Sequence, residues 1–73
     1  MSTIKDLASA TVAARRATGM EGIGTRVDTG RVQVVLFSRQ GNRVIADPLS
    51  DYVSLSEAVA TLRQITADKG FRA

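Results

Sequence analysis

Apolar and polar positions alternate most clearly from Arg31 to Arg39, and this pattern predicts a central β-strand. Because successive side chains of a strand point to opposite faces, Val32, Val34 and Leu36 share one face, which is entirely apolar. The other face is mixed and carries the remaining residues of the strand: Arg31, Gln33, Val35, Phe37 and Arg39. We expect helices to cover the apolar face and to leave the mixed face as a contact surface.

The first of these helices is predicted from Thr3 to Thr18, where apolar residues recur at helical spacing. Asp6 follows Thr3 by three positions, as in a capping box, and Gly19 is a natural stop. Two basic residues suit the negative end of the helix dipole: Arg15 and Arg16.

A second helix is predicted after Ser54, which forms another capping pattern with Glu57. Gly70 provides its stop, and Phe71 supplies the hydrophobic contact that often follows a glycine cap. Its apolar stripe comprises Leu55, Ala58, Val59, Leu62, Ile65 and Thr66.

Turn residues divide the middle of the chain into short strands. Asp28-Thr29-Gly30 favours a hairpin between a strand from Thr25 to Asp28 and the central strand. Gln40-Gly41-Asn42 is a second turn, and it leads into a third strand from Arg43 to Ala46, which Asp47-Pro48 ends.

These elements predict a small α+β domain of order α-β-β-β-α, with a three-stranded antiparallel sheet and helices packed on one face. At 73 residues we expect one domain, 1–73. The glycine-rich run from Gly19 to Gly24 is interpreted as a flexible loop. The segment Leu49 to Val53 is interpreted as a connection that could add a fourth edge strand.

Composition narrows the chemistry. The chain has no cysteine and no histidine, which excludes disulfides and thiolate sites and removes the commonest metal ligand. We therefore expect no cofactor and no metal ion. The formal charge is +3, and eight of the ten basic residues are arginine, whose rigid fork of donors suits carboxylates and phosphates. Either recognition or the codon bias of a GC-rich genome accounts for this excess.

Three short motifs permit catalytic or phosphate-binding interpretations, and each has a simpler explanation. Asp28-Thr29-Gly30 is similar to the local signature of retroviral-type aspartic proteases, but a hairpin turn accounts for it. Ser2 and Lys5 have the spacing of some acyl-transfer enzymes, but they sit in helix-capping chemistry. Glycines 19, 22 and 24 precede a strand, whereas a phosphate loop follows one. We expect no enzyme activity.

The order α-β-β-β-α also resembles that of the double-stranded RNA-binding domain. That family reads RNA largely through a lysine-rich start of its second helix. The corresponding residues, Ser54-Leu55-Ser56-Glu57, contain no base and one acid. The resemblance therefore transfers an order of elements and no binding residues.

The mixed sheet face is the candidate binding surface, with an apolar centre and an arginine rim, as in many protein interfaces. We expect Val35, Phe37 and Ile45 to remain exposed as anchors, with arginines around them, Arg26 included. The expected partner-binding residues are Arg31, Val35, Phe37, Arg39, Arg43 and Ile45.

The resulting hypothesis is a small non-enzymatic regulator or inhibitor that binds an acidic protein partner, comparable in kind to the compact inhibitors that phages direct against host machinery. Alternatives are a nucleic-acid-binding domain that uses the same arginines, and a homodimer whose seam is this face. Helix 1 or the segment Leu49 to Val53 could also cover the face. No apolar run reaches the length of a membrane span, so the expected location is the cytoplasm.

Overall fold

A computed structural model describes residues 2–68 of the chain. Two helices flank a three-stranded sheet, and the sheet order β1-β2-β3 follows the chain. The predicted α+β order is confirmed. The elements are α1 (Ile4–Thr18), β1 (Ile23–Asp28), β2 (Arg31–Gln40), β3 (Arg43–Pro48) and α2 (Leu55–Ala67).

Helix α1 begins and ends where its caps predict. The Thr3 hydroxyl accepts a hydrogen bond from the Asp6 N–H at 3.2 Å, and the Asp6 carboxylate accepts one from the Thr3 N–H at 2.9 Å. Both bonds of a capping box are therefore present. Gly19 ends the helix in the left-handed conformation, at φ 73°, and its N–H donates to the carbonyl of Arg15.

Helix α2 has a different cap from the predicted one. The Ser54 hydroxyl accepts from the Glu57 N–H at 3.2 Å, but the Glu57 carboxylate then accepts from that hydroxyl rather than from the Ser54 backbone. The N-cap is confirmed, and the reciprocal bond to the Ser54 N–H is absent from the described hydrogen bonds. The helix ends at Ala67. The predicted roles of Gly70 and Phe71 lie outside the described residues.

Two tight hairpins join the antiparallel strands. In the first, Thr29 and Gly30 both have positive φ, 48° and 78°, as a type I′ turn requires. In the second, Gly41 has φ 62° at the first loop position, which suits a type II′ turn. Two-residue loops make Asp28 pair with Arg31 and Gln40 with Arg43.

Strands β1 and β3 are each longer than the sequence predicted. β1 begins at Ile23, inside the run interpreted as a flexible loop, because the N–H of Phe37 bonds to the carbonyl of Gly22 at 2.7 Å and starts the ladder there. β3 continues to Pro48, which can end an edge strand because no donor is needed on its free side.

The segment after β3 remains beside β2 without forming a regular strand. The N–H of Leu49 bonds to the carbonyl of Val34, and Val53 and Val32 exchange two backbone bonds of 2.8 Å. Between them the hydroxyl of Ser50 accepts from the N–H of Val34 at 3.0 Å. The possible fourth edge strand is thus a single bridge at Val53.

The core lies between the sheet and the helices, as the strand pattern predicts. Val32 and Val34 belong to one buried cluster with residues of both helices, and Leu36 packs against this cluster. The helical members are Leu7, Ala10, Ala14, Ala58, Val59, Leu62 and Ile65. Among the described residues, no Cα of β3 comes within 8 Å of either helix, so β3 extends beyond the helical cover.

Candidate functional site

The face of the sheet that points away from the helices is called the outer face here. Odd-numbered residues of β2 lie on it, because Val32 and Val34 belong to the core. Direct cross-strand partners share a face, so the register extends this surface onto both neighbouring strands. Its residues are Gly24, Arg26, Asp28, Arg31, Gln33, Val35, Phe37, Arg39, Val44, Ala46 and Pro48.

Two of the residues expected on this face lie on the opposite one. Arg43 pairs with Gln40 and Ile45 pairs with Ser38, so both share the side of the helix-facing Leu36. The sequence interpretation assigned Gln40, Gly41 and Asn42 to the second turn, and a three-residue loop would place Arg43 on the same face as Arg39. Since that loop has two residues, the side-chain alternation of β3 is shifted by one position relative to what was expected.

Val44 and Ala46 occupy the places that had been assigned to Arg43 and Ile45. Val44 pairs with Arg39 and is 68% exposed, whereas Ala46 pairs with Phe37 and is half-buried. Of the large apolar side chains that the structure describes on the outer face, Val44 is therefore the most exposed, and neither α1 nor α2 contacts its strand.

The expectation that Val35, Phe37 and Ile45 remain exposed is wrong. Val35 is fully buried at 0% exposure, between its cross-strand partners Gly24 and Pro48. Phe37 is half-buried, and so is Ile45 on the other face. The anchors proposed from the sequence are thus partly used by the fold itself.

The ring of Phe37 lies over Gly24. A Cβ atom placed on Gly24 would stand 2.8 Å from this ring, and one placed on Gly22 would overlap the carbonyl oxygen of Phe37. An aromatic side chain packed across a strand glycine restores the packing that the missing side chain removes. These glycines therefore serve close approach, a role that the loop interpretation missed. Strand alternation continuing upstream of Thr25 was the signal that could have revealed it.

Arg15 has a structural role as well as its place near the end of α1. Its Nε donates to the carbonyl of Ile23 at 2.7 Å, which fixes α1 to the start of β1. The other predicted cation, Arg16, remains exposed on the same helix. The sequence interpretation assigned both arginines only a favourable interaction with the helix dipole. Neighbouring residues in the sequence do not show which carbonyl a long side chain reaches.

The outer face is basic. Arg26, Arg31 and Arg39 are all exposed, and Asp28 is the single acid of the face, opposite Arg31. Three arginines and one aspartate leave it with a formal charge of +2. The arginine rim is thus present, whereas its fourth expected member, Arg43, projects from the other side of the sheet.

Other kinds of site leave little trace in residues 2–68. They contain no group of three or more histidine, cysteine, aspartate or glutamate side chains placed to hold a metal ion. Neither described helix combines the length and the apolar character needed to cross a bilayer. Asp28-Thr29-Gly30 forms the first hairpin turn.

Comparison of the chain with protein-family models, with curated proteins and with solved structures gave no match in any of the three. The outer face therefore has to be interpreted from its own geometry and charge.

Proposed function

We propose that this chain is a small non-enzymatic binding domain that recognises an acidic protein surface through its outer face. The observation that carries the proposal is the arrangement of that face, in which exposed Val44 stands beside half-buried Phe37 and Ala46. Exposed Arg39 lies opposite Val44, and Arg26 and Arg31 extend the positive charge toward the other end of the face. Arginine and aromatic residues are enriched in protein interfaces, whose centres are apolar and whose rims are polar.

The most exposed apolar residue of the face, Val44, lies on β3, and no helix approaches that strand within the described residues. A partner could therefore reach Val44 and Ala46 without displacing any part of the fold. Exposed arginines at the rim would raise the association rate with an acidic surface more than they would slow dissociation. A domain of this size acts most directly by covering a surface of its partner, which supports a regulatory or inhibitory role.

The test uses two arginines at the same end of the sheet that point to opposite faces. The protein and its variants Arg39→Gln and Arg43→Gln are immobilised on a resin and exposed to extract of the source cells. The retained partner is identified and then titrated against each variant. Arg39 lies on the outer face and Arg43 does not. We expect Arg39→Gln to lower the affinity for the partner about tenfold and Arg43→Gln to change that affinity less than about twofold. Equal effects of the two variants, or a partner that needs only Arg43, would refute the assignment.

Nucleic acid is the second candidate, and the presence of Arg26, Arg31 and Arg39 along one face favours it. Single-stranded nucleic acid is usually held by bases stacked on aromatic rings. Among residues 2–68, Phe37 is the only aromatic residue on the outer face, and its ring is packed over Gly24. This packing leaves phosphate contacts as the main source of affinity, which makes the protein partner the better supported proposal.

Salt dependence separates the two candidates. Phosphate contacts release counterions, so nucleic-acid affinity should fall about a hundredfold or more between 50 and 200 mM salt if the three arginines act together with further cations. An apolar contact centred on Val44 should lose far less. Titration of a labelled 20-base-pair duplex and a 20-nucleotide single strand at both salt concentrations decides between them. A homodimer through the same face would appear as a concentration-dependent mass in light scattering.

A further inference from the structure

Strands β1 and β3 are the two edge strands of the sheet. Among the described residues, α1 contacts β1, whereas no helix contacts β3. Phe37 and Gly22 form a hydrogen-bonded pair, so the alternation of the ladder turns the backbone groups of Ile23, Thr25 and Val27 away from β2. The carbonyl of Ile23 is taken by Arg15, and its N–H bonds to Met20. The donors and acceptors of Thr25 and Val27 remain at the edge, with no bond among those described.

A groove of about 450 Å³ runs between this edge and α1. Ile4 and Val12 line it and are 69% and 41% exposed, and Ala8 lies one helical turn from each. We call this the β1 groove, and its principal residues are Ile4, Ala8, Val12, Arg15, Thr25 and Phe37. It combines an apolar wall with unpaired backbone groups along one side.

Among the described residues that line the β1 groove, Arg15 is the only ionisable one. Its Nε is used on Ile23, which holds the guanidinium at one end of the groove and leaves its two NH2 groups for another acceptor. The chemistry that fits is a carboxylate, since arginine binds carboxylates through paired N–H donors. The groove therefore presents a fixed cation beside apolar walls.

We propose that the β1 groove binds an extended segment of another protein, which adds to β1 as a further strand and places a carboxylate at Arg15. Backbone bonds to Thr25 and Val27 would supply affinity, and side chains at alternate positions would contact α1. The preferred segment has apolar residues at alternate positions and one acidic residue near Arg15. This surface shares Phe37 with the outer face but none of its arginines, so it extends the proposed function.

A second copy of this chain fits the groove less well. The two-fold register that uses both Thr25 and Val27 places Arg26 directly opposite Arg26 of the second copy. Like charges in direct cross-strand positions are destabilising. Charge therefore favours an acidic segment over self-pairing at this edge.

The test starts from a displayed library of random ten-residue peptides, and an enriched peptide is then synthesised and titrated by fluorescence anisotropy. We expect enriched sequences to alternate apolar residues with one acid. Thr25→Pro removes an edge N–H without breaking the β1–β2 ladder, and it should weaken binding at least about tenfold. Val44→Pro is the matched control, because the N–H of Val44 points to the free edge of β3, and it should change affinity less than about twofold.

Two further measurements keep the test decisive if Thr25→Pro does not fold. Ala8→Glu changes only an exposed helix position. The new carboxylate would fill the groove and repel the acid of the peptide, so peptide affinity should fall at least about tenfold. Replacing the acid of the peptide by its amide should lower its affinity for the unaltered protein about tenfold, and should hardly change its affinity for the Arg15→Gln variant. Arg39→Gln should leave peptide affinity unchanged, so this proposal and that for the outer face can fail separately.

Failure to enrich any peptide would overturn the proposal. So would full binding by Thr25→Pro or Ala8→Glu, or greater sensitivity to Val44→Pro than to Thr25→Pro. A dimer in light scattering that Thr25→Pro dissolves would show that a second copy takes the edge instead.

Discussion

The two faces of β2 share one backbone and have almost opposite roles. The inner face is closed where Val32 and Val34 join the helical core, whereas Ser38 and Gln40, farther along the same face, are exposed. On the outer face of β2 only Val35 is fully buried, Gln33 and Phe37 are half-buried, and Arg31 and Arg39 are exposed. Two helices thus bury the apolar first half of one face of β2, and the opposite face carries both arginines of the strand.

The largest effect is expected from the closed face. Leu62 is fully buried against the sheet, and Leu62→Ala should lower the free energy of unfolding by about 2–5 kcal/mol, because it leaves a cavity between α2 and β2. Denaturant unfolding followed by circular dichroism measures it. The control is Val44→Ala on the open face, which should change stability by less than about 0.5 kcal/mol. Similar losses in both variants would mean that the two faces are not distinct.

The second effect tests the contact that partly closes the outer face. Gly24→Ala places a Cβ atom 2.8 Å from the ring of Phe37, so the ring must move, and we expect a loss of about 1–3 kcal/mol. In the Phe37→Ala background the same change should be neutral or stabilising, because alanine suits a strand better than glycine. Equal losses in both backgrounds would show that the ring does not occupy this place. The cycle of four proteins is compared by denaturant unfolding.

The smallest effect concerns the hairpin that joins β1 to β2 and leaves both faces unchanged. Thr29 has φ 48°, which is unfavourable for a β-branched residue, whereas asparagine adopts this conformation readily. Thr29→Asn should raise the free energy of unfolding by about 0.5–1 kcal/mol.

The matched exchange Thr25→Asn, in the extended backbone of β1, should instead lower stability. A loss at both positions would contradict the assigned turn. The stabilised Thr29→Asn protein would serve as a background in which destabilising substitutions on either face can be measured.

Local patterns were enough to predict the elements. Alternation identified β2 and its apolar face, and the capping residues Thr3 and Ser54 located the helix starts, because these signals depend on neighbours within a few positions. The turn at Thr29 and Gly30 was equally local.

The candidate site was only partly predictable, because its errors arise between strands. Which side Ile45 faces depends on the length of the second hairpin loop, and the burial of Val35 depends on residues brought together by pairing. The reach of Arg15 to Ile23 and the packing of Phe37 on Gly24 are tertiary contacts, and no spacing along the chain encodes them.

The most direct test of the account uses the absence of cysteine from the chain. Adjacent exposed residues Arg43 and Val44 point to opposite faces of β3, so Arg43→Cys and Val44→Cys report on the two sides separately. Labelling rates with a maleimide are measured with and without the retained partner. We expect both thiols to react readily in the free protein and the partner to protect only the thiol at position 44. Protection at position 43 alone would place the partner on the other side of the sheet and contradict the outer-face assignment.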